Sequence, residues 1–265
     1  YPVATSGGFV VGDKGVLVVE SMVNKRLAEQ VIGFVKKITD KPILYVVNTS
    51  YHGDHAYGNY AFPKTSKIIQ HSKTKAFMDN KEAFEADKKF MTQYFGANRG
   101  IEEVVARTAD IIVDDKKTID LGNKKVEIMH LGFAQTAGDL FVWVPDNKVF
   151  WTGNPVVAQP PALPWLLDGK HEEVLTTMKK VRSFLPDDAV VVPGHGVPAK
   201  PKDLDFIIRY LETLHREVKS AIGKGSSLEQ AQKSITMKEF QGYALWGWVH
   251  SGVNVPNTYK DLSKQ

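Results

Sequence analysis

The chain has 265 residues, 43% hydrophobic and 24% charged, proportions that exclude a disordered or fibrous protein and allow one sizeable core over 1–265. The formal charge of +4 comes from 34 basic and 30 acidic residues spread along the chain, the basic ones at most in pairs such as Lys36-Lys37, so nothing points to nucleic acid. With no cysteine, disulfides, thiolate metal sites and thiol nucleophiles are excluded. No apolar run approaches the ~18 residues that span a bilayer, so a soluble protein is expected.

Taken in order, Phe9-Val10-Val11 and Val16 to Val19 flank Gly12-Asp13-Lys14-Gly15 and predict two strands joined by a tight turn. Leu27, Val31, Phe34, Val35 and Ile38 recur at helical spacing and predict a helix over 24–38. Ile43 to Val47 is a continuous apolar strand of the kind buried in layered α/β folds. A short turn over 58–63 and a strand over 67–70 follow, then a helix capped by Ser72 and running over 73–94. Strands are expected at 110–113, 117–121, 125–130, 140–144 and 149–151, the last ending in Thr152-Gly153-Asn154. The Pro-rich 159–165 cannot be regular; a helix over 171–184 and a strand over 189–193 lead to Gly194-His195-Gly196. From Lys202 the pattern is helical, Ser226-Ser227-Leu228-Glu229 opens a further short helix, and 240–249, with Trp246 and Trp248, predicts a last helix docked on the body.

The chemistry concentrates in Asn48-Thr49-Ser50-Tyr51-His52-Gly53-Asp54-His55, directly after the buried strand. Two imidazoles and a carboxylate within four positions on a loop can converge on one cation, although a polar turn is an equal reading of these residues alone. Loop 131–139, Thr152-Gly153-Asn154 and Gly194-His195-Gly196 each also follow a strong strand and carry a polar group beside a glycine. Loops at strand ends bring such distant residues to one edge.

With these motifs in this order, including the Gly-x-x-x-Thr-x-Gly-Asp loop and Pro-Gly-His-Gly, the sequence resembles the metallo-β-lactamase-fold superfamily over nearly its whole length. The likeness is greatest to SoxH-like, quinoprotein-relay-type metallohydrolases. The resemblance implies an α/β fold, an αββα sandwich with a helical C-terminal segment. It also implies metal ligands at Asp54, His55 and His195, the second-site type, for one divalent metal, zinc by type. Three positions where such proteins carry ligands are changed here: Ser50 and Gln135 stand in place of histidines and Asn154 in place of a bridging aspartate, so the first metal site is expected to be empty.

One such metal with an open position suffices for attack by bound water on an amide, ester or lactone-type carbonyl of a small-molecule substrate, with His52 and Asp54 as catalytic residues and His52 as general base or substrate hydrogen-bond partner. The alternative is a catalytically degenerate fold acting as a small-molecule or protein binding module. Tyr51, Phe133 and Trp165 are candidates for a substrate pocket. His130 reads as a structural histidine beside the site, His71 as the start of a helix, and His171, His215 and His250 as surface or packing residues. The chain starts at Tyr1 rather than Met, and a signal peptide removed upstream would place it in the periplasm or outside the cell.

Overall fold

The computed structural model of the chain describes residues 5–158, 163–242 and 245–264. The expected hairpin forms as β1 (Gly8–Val11) and β2 (Val16–Val19). Helix α1 (Lys25–Ile38) starts at Asn24, whose side chain accepts from the Leu27 N–H at 2.9 Å and satisfies one open donor of the first turn. Strands β3 (Ile43–Val47), β4 (Lys67–Gln70) and the two-residue β5 (Ile111–Ile112) then add in parallel, giving the order β1-β2-β3-β4-β5. Between β3 and β4 the chain makes one helical turn, α2 (Gly53–Ala56), and a 3-10 turn, Tyr57–Ala61.

The single helix expected over 73–94 is two, α3 (Ser72–Asp79) and α4 (Lys81–Phe95). Asn80 divides them: its N–H ends α3 on the Ala76 and Phe77 carbonyls, and its side chain opens α4 by accepting from Ala83 N. A short amide that bonds its own neighbouring backbone competes with helix continuation. His71, not Ser72, caps α3, its Nδ1 accepting from Lys73 N at 3.0 Å.

The second sheet comprises β6 (Lys116–Asp120), β7 (Lys125–Met129), β8 (Phe141–Val144), β9 (Val149–Ala158) and β10 (Val190–Gly196), in the order β10-β9-β8-β7-β6. Helix α5 (His171–Phe184) makes the crossover that parallel β9 and β10 require. Strand β9 does not stop at Trp151 as expected, because β10 pairs with it as far as Ala158, across two register shifts around Pro193. Of the Pro-rich stretch, 159–162 lie outside the described residues; Leu163 bridges back to Val157.

The apolar clusters define the layers. Leu17, Val19, Val47 and Ile69 of one sheet meet Val126, Ile128, Leu140 and Val142 of the other, so the sheets pack face to face. The outer face of the first sheet, with Val16, Val18 and Val46, is covered by Ala28 and Val35 of α1. Phe141 and Phe150 on the outer face of the second lie under Val174 and Met178 of α5 and the long α6 (Pro201–Gly223). This is the αββα sandwich. Leu204, Ile207, Leu211, Leu214 and Val218 form the buried stripe of α6 that their spacing predicts.

Ser227 caps α7 (Leu228–Ser234) with a capping box. The last expected helix, over 240–249, sits further along the chain: a π-helical segment Gly247–Asn254 runs into α8 (Val255–Leu262), while 238–240 is a 3-10 turn and 243–244 lie outside the described residues. Asn254 anchors this segment, accepting from Leu166 N at 2.9 Å and donating to the Pro164 carbonyl at 2.8 Å. Among the described residues no helix is long and apolar enough to cross a membrane.

Candidate metal centre

The site lies at one end of the sandwich, beyond the end of β3, at the end of β10 and beside Gly153-Asn154 within β9. Helical turn α2 delivers Asp54 and His55, and the end of strand β10 delivers His195. Asp54 Oδ2 stands 3.1 Å from His195 Nε2 and 3.2 Å from His55 Nε2, and one donor atom from each of the three side chains falls within 4.8 Å of the others. All three residues are buried. Ligands at 2.0–2.1 Å from a tetrahedral zinc stand about 3.3 Å apart, so this donor set fits one such cation.

Two glycines permit this closeness. A Cβ on Gly153, whose φ of +62° favours glycine in any case, would lie 2.4 Å from Thr49 Oγ1; one on Gly194 would lie 2.4 Å from Asn154 Oδ1. β9 can therefore approach both the β3 loop and β10, and Asn154 reaches the centre. Its Oδ1 is 2.8 Å from His55 Nε2 and its Nδ2 is 3.1 Å from His52 Nδ1. With the amide so placed, His55 donates to Asn154, Asn154 donates to His52, and His52 carries its own proton on Nε2.

Behind His55 stands Glu20, a residue that sequence reasoning missed. Its Oε1 accepts from His55 Nδ1 at 2.9 Å and from the Thr49 hydroxyl, and its Oε2 accepts from Thr49 N at 3.2 Å. It is 1% exposed, directly follows β2, and holds a left-handed backbone, φ +71°. The one signal was an acid closing a run of four apolar residues, Val16 to Val19. Thr5 completes the ring from the N-terminal segment, its hydroxyl 2.8 Å from Asp54 Oδ2.

Burial disfavours charge on His55, but the carboxylates of Asp54 and Glu20 outweigh it and raise the imidazole well above its ordinary range. Burial likewise opposes ionisation of Asp54, yet His55 and His195 lower its carboxyl well below the usual value. His52 goes the other way: burial, with His55 and His195 adding to it and Asp54 only partly opposing, lowers it to about 4. At neutral pH the centre therefore pairs a cationic His55 with an anionic Asp54 beside a neutral His52. A cation held by His55 would have to take the place of the proton on its Nε2.

The three substituted positions have partners of their own. Ser50 Oγ accepts from His52 N at 3.2 Å, and Gln135 Nε2 donates to the Trp165 carbonyl at 3.2 Å. The Gln135 Oε1 atom is buried with no hydrogen-bond partner among the described residues. Its loop is held by Asp139, whose Oδ2 accepts from the N–H groups of Ala134, Gln135 and Thr136. His130 is structural, its Nδ1 donating to the Asp139 carbonyl at 2.8 Å. Of the histidines expected at the surface or in packing, His171 and His250 are buried packing residues, and His71, the cap of α3, is buried as well.

A cavity of about 330 Å³ opens over the centre, lined by His52, Asp54, Asn154 and His195 on its floor. Of the three aromatic residues expected at its mouth, only Trp165 lines it, stacked over His195 at 6.4 Å between ring centroids. Tyr51 instead stacks on Phe77 at 3.8 Å and donates to Asp168 Oδ2, and Phe133 is buried beneath Lys170 Nζ. The wall opposite comes from α4, through Phe90, Met91 and Tyr94, and from Trp248 of the π-helical segment. Those residues were legible only as helix faces.

A family model described as "Metallo-beta-lactamase superfamily" matches residues 1–195. A linear primary-alkylsulfatase from Pseudomonas sp. (strain ATCC 19151) is 25% identical over 223 residues, covering 72% of this chain but 41% of that protein. The chain thus spans less than half the length of that relative. A metallo-beta-lactamase type 2 from Bacillus cereus is 25% identical over 193 residues, 72% of this chain and 67% of the relative. Among solved structures, a metallo-beta-lactamase from Pontibacter korlensis superposes with a TM-score of 0.64 at 18% identity, over 79% of this chain and 88% of that one. A stereoselective inverting sec-alkylsulfatase from Pseudomonas sp. superposes with a TM-score of 0.73 at 12% identity, over 96% of this chain and 47% of that one. That likeness of fold extends over the C-terminal helices, which lie beyond residue 195.

Proposed function

The chain belongs to the metallo-beta-lactamase superfamily, and from that premise we propose that it is a hydrolase working with one divalent cation, zinc by its donor set, held by Asp54, His55 and His195. The observation that carries this is the convergence of one carboxylate and two imidazoles, from two separate elements, on a volume fitted to one tetrahedral ion. A cation held there supplies Lewis acidity toward a substrate carbonyl and makes water a nucleophile at neutral pH.

The chain's own residues do the rest. Glu20 holds the His55 ring so that Nε2 faces the cation position. Trp165, stacked on His195, shields that ring from bulk water. His52 is neutral, with Nδ1 engaged by Asn154, so it serves as an Nε2–H donor to a substrate oxygen rather than as a base. Ser50, Gln135 and Asn154 leave a second ion without the imidazole and carboxylate ligands it would need, which supports a single-metal mechanism. The relatives are named for different substrates, alkyl sulfates and β-lactams, so a reaction class is carried over from them and no substrate. An amide, ester or lactone-type carbonyl suits the site.

Elemental analysis after zinc loading and exhaustive dialysis tests the reading. About one equivalent is expected in the wild type and near zero in His195→Ala and Asp54→Ala, with esterase turnover lost in Asp54→Ala. One observation favours a second reading, a binding module: Asp54 Oδ2 is met by Thr5, His55 and His195, which together satisfy it by hydrogen bonds. Near-zero zinc in the wild type would support that reading and overturn the first.

A further inference from the structure

The hydrophobic side chains that remain exposed include a group gathered at one place. Phe90 is 58% exposed, Trp248 47%, Tyr94 46% and Leu167 40%, and all four line the cavity over the metal centre. Large apolar groups left in water around a concave polar floor mark a surface awaiting an apolar ligand. Trp248 meets Trp165 edge to face at 5.0 Å, and Trp165 in turn stacks on His195, so the apolar wall is continuous with the reacting centre.

The charge of the lining is equally informative. Asp54 and Asp87 both face the cavity, and no Lys or Arg is among its described lining residues. The undescribed residues, 1–4, 159–162, 243–244 and 265, contain none either. In the metal-free protein a sulfate, phosphate or carboxylate on the substrate would meet two carboxylates, with the His55 charge already paired to Asp54 and Glu20 and no guanidinium or ammonium in the lining to pair with; a bound cation would offset Asp54 but not Asp87.

We propose that the site takes a neutral carbonyl compound, an ester or amide, carrying an apolar chain that lies between α4 and Trp248, and that the metal-free cavity discriminates against anions of the same length. The proposal deepens the hydrolase reading and depends on it only for the identity of the reacting bond.

The test is a binding titration of the full chain at neutral pH, stripped of metal so that no carboxylate can coordinate a cation, read by tryptophan fluorescence. The probes are hexanamide, octanamide, octanoate and octyl sulfate. Octanamide should bind at least about tenfold tighter than either eight-carbon anion, and roughly tenfold tighter than hexanamide for its two extra methylenes. Leu167→Lys, at an exposed position where folding is insensitive, should strengthen octyl sulfate binding severalfold and leave octanamide weaker. Octanoate or octyl sulfate binding as tightly as octanamide, no chain-length dependence, or no binding by any probe would each overturn the proposal. Zinc-loaded protein with p-nitrophenyl octanoate then reads the hydrolase proposal separately: absent turnover with the octanamide preference intact defeats that reading and leaves this one standing.

Discussion

Glu20→Gln removes a charge without changing shape, at a residue touching no solvent and no substrate. Glu20 accepts three buried hydrogen bonds, two from Thr49 and one from His55. A glutamine amide can accept through one oxygen only, so at least one donor faces an N–H instead, and the cationic His55 keeps only Asp54 as a nearby counter-charge. Removing one partner of a buried pair costs about 3–5 kcal/mol. Because glutamine retains part of the network, the lower end, about 3 kcal/mol, is expected. The backbone strain at φ +71° is common to both side chains and cancels. Equilibrium urea unfolding of the metal-free protein should show a midpoint lower by roughly 1 M. A zinc titration should show affinity about 10- to 100-fold weaker, because the ring that presents Nε2 is no longer held. Glu29→Gln, on the exposed face of α1, is the control. If Glu20→Gln unfolds within about 1 kcal/mol of the wild type and binds zinc equally well, Glu20 does not position His55 and the account of the centre is wrong.

Asn154→Asp places a carboxylate where Oδ1 already sits 2.8 Å from His55 Nε2, and zinc affinity measured by chelator competition should rise about tenfold or more; no rise would mean that position 154 does not face the cation. Gly153→Ala forces a Cβ against Thr49 at φ +62°, so the melting temperature should fall by several degrees, corresponding to more than about 1 kcal/mol; an unchanged value would show that β9 is free to shift. His171 is buried, and burial with the nearby His215 lowers it to about 4, so its stability contribution is complete above its unfolded value near 6.5 and disappears as pH falls toward 4, about 3 kcal/mol in all. Asp87 and Asp139, raised by burial to about 6, act in the opposite sense, their contribution being present at low pH and lost as pH rises from about 4 to 6. His171→Gln should therefore become less acid-labile than the wild type relative to its own stability at neutral pH, measured by urea midpoints at both; an identical pH dependence would refute the assignment.

Much of this molecule is written locally. Alternation and apolar runs place the strands within a residue or two, the far ends of β9 and β10 excepted, because a strand buried between layers must be apolar along its length. The α6 stripe follows from a 3.6-residue period and needs no partner to be read. The metal candidates Asp54, His55 and His195 were visible because ligand chemistry is restricted to few residue types and each sat beside or near a glycine in a segment following a strand. The break at Asn80 and the extension of β9 were not visible, since an asparagine cap competes on equal terms with a helical continuation, and a strand's length is set by its neighbour β10.

What the sequence by itself determined is the layered architecture and the chemical kind of the site. Only the tertiary structure decided which groups share it. Glu20 and Thr5 act through distances of 35 and 49 positions along the chain, to His55 and Asp54 respectively. Phe90 and Trp248 form one wall from helices far apart in sequence, while Tyr51, adjacent to His52, turns away onto Phe77. Proximity in the chain constrains backbone conformation over a few residues; a charge network or a cavity wall is set by packing, which no local pattern contains.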